Sequence, residues 1–159
     1  MKVITIFNSV RDLTYHCPES KDDVDHRCWG KHRILYDKLN KAGYKVRYRV
    51  CEFRWDELKI PKNVSDKAPK ELDVHLYLEI KLDNKWINLD CSNDPTLKKY
   101  NEWDGKSDTE LQVKCRKILS PKESAKIEEY DKTNYKKIIK KYHELYTALN
   151  KFLDKIRQK

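Results

Sequence analysis

CWGKHRILYDKLNKAGYKVRYRVCEF, residues 28–53, is the stretch whose periodicity decides the fold. In its first half Cys28, His32, Leu35, Leu39 and Ala42 recur at spacings of four, three, four and three, so they share one face of a helix over about 27–42. Asp25 stands where a helix cap belongs, and Gly43 stands where a helix ends. In the second half the period drops to two. Val46, Tyr48 and Val50 alternate with Arg47, Arg49 and Cys51, which predicts a strand over 44–53.

Downstream, HLYLEIKL (75–82) puts Leu76, Leu78, Ile80 and Leu82 on one side of a second strand. Asp83-Asn84 is a hairpin signal, and KWINLD (85–90) supplies the returning strand. A two-residue turn makes Leu82 face Lys85, Tyr77 face Asp90 and His75 face Ser92. His75 and Asp90 are then diagonal neighbours on one sheet face, within reach of a hydrogen bond. A turn of odd length would separate them onto opposite faces.

Three residue types thereby gain matching roles. A thiol at a helix start, Cys28, sits at the positive end of the helix dipole. An imidazole, His75, is suited to take its proton, and a carboxylate, Asp90, to orient that imidazole. Tyr15, Trp29, Trp55 and Tyr77 are candidates for the cleft wall or for oxyanion donors. Cys91 points away from the His75 face and reads as structural.

The flanking segments are less decisive. Residues 3–15 mix strand-forming side chains with Ile6, Val10 and Leu13 at helical spacing, and the spacing favours a helix. Residues 16–25 and 54–74 read as loops, and 91–119 as irregular with a short strand at 111–115. Ser120-Pro121-Lys122-Glu123 is a helix start. An apolar stripe from Tyr135 to Ile156 follows, predicting one long amphipathic helix over 120–159, with Thr133-Asn134 as a place for a kink or split. The stripe is wide enough to pack on the body of the protein rather than form a coiled coil, although a homodimer through this helix stays open. The predicted organisation is a domain over 1–119 and an appended helix over 120–159.

The 159 residues carry 35 basic and 26 acidic side chains, a net charge of +9. Residues 116–159 hold 13 basic against 6 acidic residues, so the body is nearly neutral. Lys136, Lys137, Lys140 and Lys141 lie opposite much of the apolar stripe, as solvated lysines do, and no nucleic-acid-binding body is expected. No apolar run approaches the ~20 residues of a membrane span, and the first residues lack the pattern of a signal peptide. With five cysteines, an odd count without a CxxC pair, the sequence predicts a cytoplasmic chain with a free thiol.

Three blocks, in order, resemble the transglutaminase-like superfamily. Residues 28–53 resemble its Cys-helix-strand block, with Trp29 after the Cys and Leu39 to Arg47 fitting the Leu-x-x-x-Gly-Tyr-x-Val-Arg turn. HLYLEIKLDNKWINLDCSNDP (75–95) resembles the second block, with His75, Glu79, Trp86 and Asp90 in place. SVRDLTY (9–15) is similar to a helix end of that superfamily, and the remainder to the extension of a prokaryotic branch of it. The resemblance implies a papain-like α+β fold, its nucleophile helix packed on an antiparallel sheet. It also implies thioester acyl-transfer chemistry with Cys28 as nucleophile, His75 as base and Asp90 as its orienter. The implied substrate is a peptide or protein amide, hydrolysis or deamidation is preferred to cross-linking, and no cofactor is expected. Arg27 departs from the pattern, which usually has Gln, Asp or a small residue before the Cys.

Two other readings compete. His16, Cys17, His26 and Cys28 are ligand types for zinc, but their spacing matches no standard site, so no metal is expected. Alternatively the chain is an inactive member of the superfamily that binds a protein or nucleic acid through its basic C-terminal helix.

Overall fold

The structure is a computed structural model and describes residues 2–159. It is an α+β protein. A four-stranded antiparallel sheet is built from β1 (Val46–Phe53), β2 (Asp73–Leu82), β3 (Lys85–Leu89) and β4 (Lys117–Ile118), in the order β3-β2-β1-β4. Six helices surround it: α1 (Val3–Arg11), α2 (Cys28–Lys41), α3 (Lys62–Ser65), α4 (Pro121–Thr133), α5 (Tyr135–Lys141) and α6 (His143–Arg157).

The hairpin has the register that its turn dictates. Asp83 and Asn84 both take positive φ, 48° and 63°, as a two-residue turn of primed type requires, and Leu82 pairs with Lys85. Leu78 and Ile80 then face α1 and α2. They bury Ile6, Phe7 and Val10 of α1 and Leu35 and Leu39 of α2 in one cluster. Each of these side chains contributes roughly 1.5–3 kcal/mol by leaving water.

Helix α2 ends as its sequence predicts. The Gly43 amide donates to Asn40 O and the Tyr44 amide to Leu39 O, with Gly43 at φ 93°. Its start differs. Arg27 is the N-cap residue and gives no side-chain cap bond. Asp25 instead receives the Arg27 amide and guanidinium, because the buried cation is the stronger donor. Ala42 lies exposed beyond the buried face. Gly30 has no alternative at its position, since a Cβ there would stand 1.9 Å from the Asp25 carbonyl oxygen.

The N-terminal helix stops at Arg11 rather than continuing to Tyr15. The carbonyls of Arg11 and Leu13 accept hydrogen bonds from the Lys31 ammonium, and the Tyr15 amide donates to Asp94, so these groups are unavailable to a further helical turn. Residues 111–115 do not form a strand. The Gln112 amide is used by the Asp90 carboxylate, and the edge strand is Lys117–Ile118, paired with Cys51 and Glu52.

The long C-terminal helix is the main correction. Residues 121–157 form three helices with breaks at Asn134 and Tyr142. Asn134 donates from its amide side chain to Tyr130 O, closing α4 by itself. The breaks let one apolar stripe serve different partners. Ser124 of α4 is buried against β1, its hydroxyl taking the Val50 amide. Ile139, Leu145, Tyr146, Leu149 and Leu153 form a second buried cluster with Cys17, Val64 and Ala68. Lys136, Lys137, Lys140 and Lys141 are exposed. Among the described residues no helix is long and apolar enough to cross a membrane.

Candidate active site

Three elements converge beside α2. Cys28 opens the helix, His75 lies near the start of β2, and Asp90 follows directly on β3. Antiparallel pairing sets Cys51 of β1 opposite His75. The His75 Nε2 and Asp90 Oδ2 are 2.7 Å apart, both side chains almost wholly buried. Cys28 lines the same cavity as His75 and is near enough to act on the charge of the imidazole. Since Nε2 is occupied by Asp90, Nδ1 is the ring atom left for the thiol.

The electrostatics follow from these contacts. Burial pushes the His75 imidazolium down, but the Asp90 carboxylate and Cys28 outweigh it and raise its pKa to about 10. Burial pushes Asp90 up, yet the His75 charge and hydrogen bond hold it well below the usual carboxylate range. The carboxylate is fully engaged. Its Oδ1 accepts from the Ser92 amide (3.0 Å) and hydroxyl (2.6 Å), and its Oδ2 also accepts from the Gln112 amide (2.9 Å). Asp90 is therefore fixed from four directions.

Two buried groups in this site carry no motif in the sequence. His32, one turn after Cys28, donates from Nδ1 to the Cys28 carbonyl at 2.7 Å and accepts the Cys91 amide on Nε2 at 3.0 Å. One nitrogen donates and the other accepts, so the ring is neutral and its tautomer is set. Burial pushes its pKa down to about 4, in agreement. His32 thus ties the start of the thiol helix to the strand end that carries Asp90. Its spacing from Cys28 was visible, but it matched a core position equally well. Replacing it with leucine would leave the Cys91 amide unpaired in the interior and remove the second bond on the Cys28 carbonyl, which the helix amide of residue 32 still pairs. Urea denaturation is expected to show a loss of about 1–3 kcal/mol for His32→Leu, the cost of one buried donor left unpaired.

Lys31 is wholly buried, and its ammonium donates to the carbonyls of Arg11, Leu13 and Ser92 at 2.8, 2.8 and 2.9 Å. Burial pushes its pKa down to about 8. It joins the end of α1 to the loop beyond Asp90. Arg27 does the same for the C-terminal helices. Its guanidinium reaches Asp131 of α4 at 3.3 Å and the Tyr146 hydroxyl of α6 at 3.1 Å, and stacks over Tyr135 at 5.7 Å.

Cys28 and His75 open onto a cavity of about 770 Å³ between the sheet end and helices α4–α6. Tyr15, Trp29 and Trp55 line it, as the sequence predicts for wall residues. Trp55 is not a free donor, because its Nε1 is used by Asp73 at 2.8 Å. Tyr77 is a correction. It is 1% exposed, stacks behind His75 at 6.5 Å and does not line the cavity, since it lies two residues further along β2.

The residues weighed as zinc ligands are used elsewhere. His16 pairs with Asp23 at 2.7 Å, and His26 bonds the Thr14 carbonyl at 3.1 Å. Among the described residues no three His, Cys, Asp or Glu side chains are grouped to hold a metal ion. Of the residues that the resemblance singled out, Glu79 binds Arg47 and Arg49 at 2.8 and 2.6 Å, and Trp86 lies under Arg47 at 3.9 Å, both remote in role from the thiol. No protein-family model matches the chain, and neither a curated protein nor a solved structure matches it.

Proposed function

We propose that this protein is a cysteine-dependent acyl-transfer enzyme with a transglutaminase-like, papain-like core. The observation that carries the reading is that Cys28 and His75 share the wall of one cavity, with Asp90 buried behind His75 at 2.7 Å from Nε2 to Oδ2. The order of these residues along the chain, and the elements that present them, support the resemblance seen in the sequence.

The chemistry follows from the contacts. Cys28 gives its proton to His75 and attacks the carbonyl carbon of an amide or ester. The new C–S bond moves an electron pair onto the carbonyl oxygen. The backbone N–H of Cys28, in the first turn of α2, has no partner within the helix and is one donor for that oxyanion. Tyr15 lines the same cavity and is the candidate second donor. As the C–N or C–O bond breaks, the leaving group takes the proton from His75, and a thioester remains on Cys28. Water then gives a proton to His75 and attacks the thioester, the C–S bond breaks, and Cys28 recovers its proton from His75. Asp90 keeps the ring oriented and favours its charged form throughout. An amine in place of water gives transfer rather than hydrolysis.

Intact-mass analysis after a brief reaction with p-nitrophenyl acetate tests this directly. The expected result is a single acyl adduct on Cys28 that decays with time. It is expected to be absent from Cys28→Ala and to persist in His75→Ala only where slow background acylation supplies it. Acylation spread over all five cysteines at equal rates would refute the reading.

A further inference from the structure

The cavity beside Cys28 identifies a substrate class. Its far wall is hydrocarbon from α6 and from the short turn at Pro95–Leu97 that follows β3: Leu97, Leu149, Phe152, Leu153 and Ile156. Phe53, Val74 and Leu111 close the near side. A volume of about 770 Å³ is that of a site for a sizeable organic molecule rather than a single small side chain.

The polar groups on this wall are mostly engaged by the protein. Trp55 Nε1 and the Tyr142 hydroxyl both donate to Asp73, and the Tyr146 hydroxyl accepts from Arg27. The Asn93 amide donates to Lys99 O and Gln112. An extended peptide backbone, which needs a partner for every N–H and C=O, finds few here.

The charges are unbalanced. Glu57 pairs with Arg116 and Lys114, Glu110 with Lys99, and Asp131 with Arg27 and Arg33, while Asp73 has no cation among the described residues and is held by Trp55 and Tyr142. Lys59, Lys137 and Lys141 line the same cavity, are exposed, and have no carboxylate within ion-pair distance among the described residues. Lys141 leans over the Tyr142 ring at 5.5 Å. A hydrocarbon wall inside and an excess of unpaired ammonium groups at the exposed edge are complementary to one kind of molecule.

We infer that the acyl donor is an anionic amphiphile. Its hydrocarbon chain lies against Phe152 and its neighbours, and its negative group is held at Lys137 and Lys141, with the scissile carbonyl at Cys28. The assignment of that carbonyl rests on the acyl-transfer reading above, whereas the binding of the amphiphile does not need the thiol.

The experiment separates the two. Dodecanoate, a chain with one carboxylate and no scissile bond, is titrated calorimetrically into Cys28→Ala protein below its micelle concentration. One saturable site is expected, at least tenfold tighter than for hexanoate. Affinity is expected to fall at least tenfold in a background of Lys137→Ser with Lys141→Ser, whose side chains are exposed and leave the core intact, and to fall also with Phe152→Ala. In the wild type, bound dodecanoate is expected to slow alkylation of Cys28. No saturable binding, unchanged affinity in the double lysine variant, or binding that leaves Cys28 alkylation unaffected would each overturn the inference. Slow alkylation of Cys28 without any ligand would overturn the nucleophile assignment instead, and the calorimetry would still decide the ligand class.

Discussion

His75→Ala is expected to slow alkylation of Cys28 by iodoacetamide at pH 6 by about 100-fold or more, the scale of a lost general base. In the wild type the Asp90 carboxylate raises the His75 pKa to about 10 and so favours the imidazolium that forms when the thiol gives up its proton. In the variant, Cys28 has no local proton acceptor, and its rate is expected to fall to that of Cys115 or below. Cys115 serves as the internal standard, because it is partly exposed while the other cysteines are buried. Mass spectrometry of the alkylated peptides reads both sites in one experiment. If Cys28 reacts no faster than Cys115, and His75→Ala changes neither, the activated nucleophile is wrong.

Asp90→Asn is expected to cost about 3–5 kcal/mol of stability in urea denaturation at pH 6, because it removes one partner of a buried, hydrogen-bonded ion pair. The new amide cannot reproduce the carboxylate. With its oxygen toward Ser92, its NH₂ group faces the Gln112 amide, a donor against a donor. The largest cause that raises His75 is then gone, so its titration by proton NMR is expected to move down from about 10. The pH dependence has a definite sign on each limb. The carboxylate's folded pKa is depressed, so its contribution is present above the ordinary 3.8 and is lost as the pH falls further. The imidazole's folded pKa is raised, so its contribution is complete below 6.5 and is lost as the pH rises through about 10. The gap between wild type and variant is thus expected to be widest between about pH 4 and 6.5. A gap of constant size from pH 3 to 10 would show that the pair is not ionised in the folded state.

Much of this site was legible in the sequence because two periodicities specify it. The 3.6-residue repeat oriented α2 with Cys28 inward, and the parity of the Asp83-Asn84 turn put His75 and Asp90 on one face. The α+β class and the elements around residues 28–90 follow from the same patterns. His32, Lys31 and Gln112 were not legible, since each acts through a backbone group remote in sequence, and no repeat encodes such a partner. Arg27 looked like a departure from a motif, but its reason lies 104 residues away at Asp131. The C-terminal stripe from Tyr135 to Ile156 was periodic enough to read as one helix. Periodicity records which side chains are buried, and it does not record that Asn134 can close a turn by bonding Tyr130.

The Arg27 contacts also impose an order in time. Asp131 and Tyr146 follow Arg27 by 104 and 119 residues. At roughly 5–20 residues per second, a ribosome makes Cys28 about five to twenty seconds before Asp131 exists. During that interval the residue next to the thiol lacks its long-range anion, and the cavity lacks the wall supplied by α4–α6. The loop closures that complete the site are among the longest in the chain, so they come late even when the full chain refolds. A newly made thiol is thus separated in time from the cavity that would give it a substrate, and assembly of the last helices marks the moment at which the two meet.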